Sequence, residues 1–180
     1  MKKILWTLLS LSTIVLFTSG STSPDIIYWS DHSRLSWNDF QAYPRFDYQS
    51  ISALTSSGIV HYTGCENGKI TYKVRAYFEK HASWVKEEAR TTHHLKHEQI
   101  HFDITELYAR KLRKLLSEQS FLCGQEQQFE TFVANALAGW QQEQQNFDIH
   151  TRHSMDKDHQ REWYYKIAME LSLLEDFKDE

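Results

Sequence analysis

Between residues 91 and 118 apolar side chains recur at Ile100, Ile104, Leu107, Tyr108, Leu112, Leu115 and Leu116, the period of a helix with one buried face. His97 and His101 continue that stripe one turn apart, with Glu98 between them in the string HEQIH. A chain with this segment must build its core around a long helix that carries two imidazoles toward the interior. Buried imidazole nitrogens need partners. Positions i and i+4 share a helix face, so both rings can converge on one Zn2+ while Glu98 sits beside a bound water. Composition alone yields such a string only about 0.04 times in a chain of this kind. The competing reading is a pair of core histidines hydrogen-bonded to protein groups.

The flanking segments set the fold class. Residues 51–63 and 69–79 read as strands, the second with Ile70, Tyr72, Val74, Ala76 and Phe78 alternating against Thr71, Lys73, Arg75, Tyr77 and Glu79. Asn67-Gly68 supplies the positive φ values of a tight hairpin turn between them. Pro44 interrupts any regular element over residues 41–48. Beyond the motif helix, Phe129, Phe132, Val133, Ala136, Leu137 and Trp140 share a face over about 126–145. The run QQEQQ at 141–145 then reads as that helix's wet end. A last helix near 157–177 buries Trp163, Ile167, Leu171 and Leu174, and its acidic end, EDFKDE, reads as frayed. The expected architecture is α+β: a small zincin-like domain, with an N-terminal antiparallel hairpin or sheet packed on three C-terminal helices, the HExxH helix among them.

Residues 1–20 pair Lys2 and Lys3 with an apolar run from Ile4 to Phe17 and small residues at Ser19 and Gly20, the pattern of a secretory signal peptide. The run is short of the roughly 20 residues of a membrane span, so no stable span is expected after cleavage. Residues 21–180 then form one zinc-protease-like domain, periplasmic or secreted. Cys65 and Cys123 are the only cysteines. In an oxidising compartment they can pair, closing a loop that the chain-entropy model values at on the order of 4 kcal/mol. A formal net charge of −4 leaves no electrostatic footprint for nucleic acid, and the basic stretch from Arg110 to Lys114 reads as a solvated helix face.

A catalytic zinc takes three protein ligands and keeps a fourth position for water. On the motif helix Glu106 lies about 140° around from His101, and His93 and His94 lie about 12 and 10.5 Å along the axis from it. The third ligand is therefore expected from elsewhere. Residues 147–153, FDIHTRH, follow a helix that can fold back toward the motif; His153 is the first choice and His150 the second. Either could instead donate a hydrogen bond to the tetrahedral intermediate. Asp103 and Asp148 are acids that could orient a ligand imidazole or serve as ordinary caps.

The string LKHEQIHFDITELYARKLR, from Leu95 to Arg113, resembles the bacterial family called domain of unknown function 922, whose members are regarded as exported zinc-dependent proteases. The resemblance extends to LSWNDF at 35–40, ALTSSGI at 53–59, Ser83-Trp84, and 147–163 with Thr151-x-His153 and Gln160 to Trp163. It implies a small peptidase-like α+β domain with His97 and His101 as zinc ligands and Glu98 as catalytic acid/base. The family's Thr-x-His-Gly pattern maps onto Thr151 and His153, with Ser154 standing in the place of Gly. The expected function is metal-assisted hydrolysis of a peptide or protein substrate, with His97, His101 and His153 on Zn2+ and Glu98 moving the proton. Two other classes compete. The clusters His93, His94, His97, His101 and His150, His153, His159 also suit a non-catalytic envelope metal-binding protein, and an inactive zincin-like domain could bind peptides.

Overall fold

The computed structural model describes residues 25–32, 34–44 and 51–179. The expected signal peptide lies outside them, as does the stretch after Pro44. Strands β1 (Ile26–Tyr28), β3 (Ser57–Glu66) and β4 (Lys69–Glu79) form an antiparallel sheet in the order β1-β4-β3. Strands β2 (Ala53–Leu54) and β5 (Trp84–Val85) make a separate antiparallel pair. Helices α1 (Thr92–Ser117), α2 (Glu126–Ala136), α3 (Trp140–Thr151) and α4 (Lys157–Leu173) follow. The architecture is mixed α+β with an antiparallel sheet, as expected. Among the described residues no helix is long and apolar enough to cross a membrane.

The hairpin turn falls where Asn67-Gly68 requires it, at φ 51 and 75, and fixes the register Glu66↔Lys69 through Ser57↔Phe78. That register turns Val74, Ala76 and Phe78 of β4 onto α1, where all three are buried. At the far end of the hairpin Cys65 bonds Cys123, Cα atoms 5.8 Å apart, while Ile70 N–H donates to Phe121 O and Cys123 N–H to Gly68 O. The segment after α1 is thus fastened to the hairpin by a bond that oxidising compartments sustain.

The C-terminal trio is present with its second member divided. The face expected as one helix over 126–145 stops at Ala136 and restarts at Trp140. Gly139 marks the break: a Cβ there would lie 3.3 Å from the Tyr108 hydroxyl, so a side chain would press on α1 where α3 begins. The restart redirects α3 back along α1, and this places residues 144–148 beside the motif.

Helix α1 begins at Thr91, whose hydroxyl accepts from His94 N–H at 3.2 Å, and it is buried on more than one face. Arg110, expected on a solvated face, is 1% exposed. Its Nε donates to Glu106 Oε1 at 3.0 Å, and Nη1 donates to Leu171 O at 2.8 Å and Glu175 Oε2 at 2.9 Å. Arg113 donates to both Glu106 oxygens and to Phe177 O at 2.6 Å. Residues 175–179 of the acidic end therefore do not fray. They are held by these arginines and by Arg75 on Asp179 at 2.7 Å, because cations upstream on α1 and β4 complement charges that look solvated in isolation. Removing one partner from a buried ion pair strands the other. Arg110→Met should accordingly destabilise the fold by about 3–5 kcal/mol, read from the urea midpoint at constant m-value; a shift under about 1 kcal/mol would show that Arg113 alone satisfies Glu106.

Candidate metal centre

His97 and His101 project from successive turns of α1 toward α3. Their Nε2 atoms each lie 3.1 Å from one oxygen, Asp148 Oδ1, and His153 Nδ1 lies 3.4 Å from the same oxygen. Three imidazoles from two segments thus meet at one point. Phe147, fully buried, stacks on His97 with ring centroids 4.4 Å apart and meets His101 edge-on at 4.8 Å, so the residue beside Asp148 fixes both ring planes. The nitrogens of His97 and His101 and a carboxylate oxygen of Asp148 lie within 4.8 Å of one another, a group that could hold a metal ion.

Hydrogen bonding tests that fit. Gln144 Nε2 donates to His101 O at 2.9 Å and to Thr105 Oγ1 at 3.1 Å, so its Oε1 is the atom 2.6 Å from His101 Nδ1. That oxygen can only accept, so Nδ1 carries the proton. The Nε2 of a neutral His101 is then a lone pair facing a carboxylate oxygen at 3.1 Å, a contact that only a cation makes favourable. Either a proton or a metal ion can fill that role. Ligands held at about 2.0–2.1 Å from zinc in a tetrahedral arrangement stand roughly 3–3.5 Å apart, the spacing found between each of the two imidazole Nε2 atoms and Asp148 Oδ1. Two imidazoles and a carboxylate are donors that zinc accepts.

Without a metal the two imidazoles are driven in opposite directions. Burial pushes His97 down to about 4, leaving a neutral ring, and its Nδ1 is buried without a hydrogen-bond partner among the described residues. For His101 burial acts downward, but the hydrogen bond and charge of Asp148, with the charge of Glu98, outweigh it and raise the group to about 9. For Asp148 burial acts upward, and the hydrogen bonds and charges of His101 and His97 overcome it, holding the carboxyl well below the usual range.

Glu98 is 3% exposed and accepts from Thr55 Oγ1 at 2.8 Å. Burial raises it to about 7, against the pull of His101 and the Thr55 hydrogen bond. It stands next to the imidazole pair but outside the donor group, in a carboxyl environment suited to exchanging a proton near neutral pH. Both line a cleft of about 250 Å³ bounded by Ile51, Leu54, Thr55, Trp140, Gln141 and Gln145.

Strand β2 forms the opposite wall. Lys86 N–H donates to Ser52 O at 2.9 Å, and the register Ala53↔Val85 makes Ala53 the non-hydrogen-bonded position of that ladder. The backbone N–H and C=O of Ala53 therefore point away from β5.

His153 reaches the site through unusual backbone. Arg152, His153 and Ser154 have φ of 50, 51 and 72, three left-handed residues in succession without a glycine, a conformation that must be held by its surroundings. Ser154 O lies 2.7 Å from His93 Nε2, Ser154 Oγ donates to Gln160 Oε1 at 3.1 Å, and Gln160 Nε2 donates to His93 O at 3.1 Å. This network holds Ser154 in the left-handed conformation. His150, the second choice for a ligand, is exposed and lies against Trp163, ring centroids 5.8 Å apart; it is outside the group. Asp148, read from sequence only as an orienting acid or a cap, lies at the centre.

No curated protein and no solved structure matches the chain. The model of a family described as a bacterial protein of unknown function (DUF922) matches residues 64–154, just over half of the chain, from the hairpin turn through the HEQIH helix, Asp148 and the left-handed turn at Ser154. The chain belongs to the DUF922 family.

Proposed function

We propose that this protein is an exported zinc-dependent metalloprotease, acting in the periplasm or outside the cell. The observation that carries this reading is the convergence of His97, His101 and Asp148 on one point beside the buried carboxyl of Glu98, at the floor of an open cleft. His97 Nε2, His101 Nε2 and Asp148 Oδ1 would hold the ion; Asp148 takes the third position that the sequence reading gave to His153. Zinc so bound supplies Lewis acidity toward a water and a substrate carbonyl. Glu98 takes the proton from the attacking water and delivers it to the leaving amine nitrogen. His153, with 41% of its side chain exposed, donates a hydrogen bond to the carbonyl oxygen as it gains charge. The N–H and C=O of Ala53, which point away from β5, pair with the backbone of an extended peptide. Zincin-like architecture is part of this proposal.

One observation favours a second reading. His153 Nδ1 is close enough to Asp148 that four protein donors could surround the ion, and a closed site is structural rather than catalytic. The protein would then bind metal in the envelope without hydrolysing anything. A diverse peptide library incubated with the zinc-loaded exported chain separates the two. Cleavage that a chelator abolishes and zinc restores is the expected result; stoichiometric zinc with no peptide cut establishes the closed metal-binding site.

A further inference from the structure

We infer that Gln144 is a positioning residue that sets the metal affinity of the centre, by locking His101 in the one tautomer and ring orientation that turns its Nε2 lone pair toward Asp148. The inference rests on the reading of His97, His101 and Asp148 as a metal centre, and it gives a task to the glutamine run that the sequence suggests is only a wet helix end.

The geometry is over-determined. Gln144 is one turn before Asp148 on α3, so the acid and the amide reach α1 from the same face of one helix. The amide cannot be reversed: its nitrogen meets two oxygens, His101 O and Thr105 Oγ1, and a flip would set oxygen against that carbonyl. Thr105 is fully buried, and its own hydroxyl donates to His101 O at 3.1 Å, so it can only accept from Gln144. Ser57 Oγ lies 2.7 Å beyond Thr105 Oγ1 and extends the chain of hydrogen bonds into β3. Each link fixes the next, and the last is the 2.6 Å contact to His101 Nδ1.

The two imidazoles are therefore held differently. His97 is oriented by stacking on Phe147 and has no partner for Nδ1 among the described residues, whereas His101 is oriented by a hydrogen bond that also dictates where its proton resides. A ligand imidazole whose other nitrogen donates to an acceptor is a better electron donor, and removal of such an acceptor costs about 10–100-fold in metal affinity. Gln144 supplies that acceptor. A side chain that only filled space between α1 and α3 would have no such effect.

The test is Zn2+ affinity, measured by competition with a chromophoric chelator on the full exported chain at neutral pH, for wild type, Gln144→Leu and Gln144→Glu. Melting of each metal-free protein is followed in parallel. Gln144→Leu removes the acceptor, and affinity should fall about 10–100-fold. Gln144→Glu keeps an acceptor for Nδ1 while losing the donor to Thr105 and His101 O, so it should melt lower yet bind zinc within a few-fold of wild type. A packing role gives the opposite ordering, with Gln144→Glu the more damaged in both measurements. Affinity of Gln144→Leu within threefold of wild type overturns the inference, as does a parallel loss in both variants. Should Gln144→Leu not fold, Gln144→Glu decides alone: retained affinity supports the role and a tenfold loss ends it. A wild-type protein that takes up no zinc refutes the metal centre itself, and the inference with it.

Discussion

Glu98→Gln is expected to leave one zinc per chain in place and to reduce peptide hydrolysis about 10²–10⁴-fold, the usual contribution of a positioned general base. The substitution preserves size and leaves an oxygen to accept from Thr55 Oγ1, now 2.8 Å from Glu98 Oε2, so it does not disturb the wall of the cleft. An amide cannot take a proton from water at neutral pH. The donors for the ion lie on His97, His101 and Asp148, and none of them is altered. The variant should also fold at least as stably as wild type without metal. Burial raises Glu98 to about 7, so the native state binds this proton more tightly than the unfolded chain; above the unfolded value stability is lost progressively as pH rises toward 7. A neutral amide escapes that loss. Hydrolysis at the wild-type rate would remove Glu98 from the chemistry. Loss of zinc would make it part of the metal-binding framework.

What the sequence made legible follows from how local each signal is. The HEQIH spacing needs only helix geometry, the Asn67-Gly68 turn only the φ values of two residues, and the alternation of β4 only the pleat; each stands in the structure where the sequence puts it. Cys65 and Cys123 could be paired because no other cysteine competes. The division between α2 and α3 was hidden because residues 126–145 keep one apolar face across it, while the feature that matters, the close approach of Gly139 to Tyr108, joins distant turns. Asp148 was visible as an acid and not as the hub of the site. Acids on helices are usually solvated, and nothing within residues 140–151 tells which turn of α1 they meet. The one available signal was the shared face of Gln144 and Asp148, flanking Phe147. Arg110 and the acidic tail are hidden for the same reason: Arg110 meets Glu106 within α1, but Leu171 O and Glu175 reach it only when α4 returns along α1, and Asp179 finds Arg75 on β4.

Asp148→Ala should cause the largest loss of zinc affinity of any single change outside HEQIH, more than the roughly 100-fold seen when only an orienting hydrogen bond is removed. It takes away a donor atom and the negative charge that draws the cation into a site containing neutral His97. His153→Ala should be milder, holding zinc within about tenfold while slowing hydrolysis, since its ring stands at the exposed rim, 3.4 Å from Asp148 Oδ1, where a substrate carbonyl can meet it. The metal-free proteins provide an independent check. The Asp148 carboxyl titrates below its usual range because His101 and His97 bond to it, so its contribution to stability is present at neutral pH and lost on acidification through the folded value. Metal-free Asp148→Ala should therefore melt below wild type at pH 7, and the gap should close as wild type is acidified. Metal analysis of both variants after dialysis against zinc decides between the two ligand sets: full occupancy in Asp148→Ala with an empty site in His153→Ala would give the third position to His153 and leave Asp148 as the acid that orients the three rings.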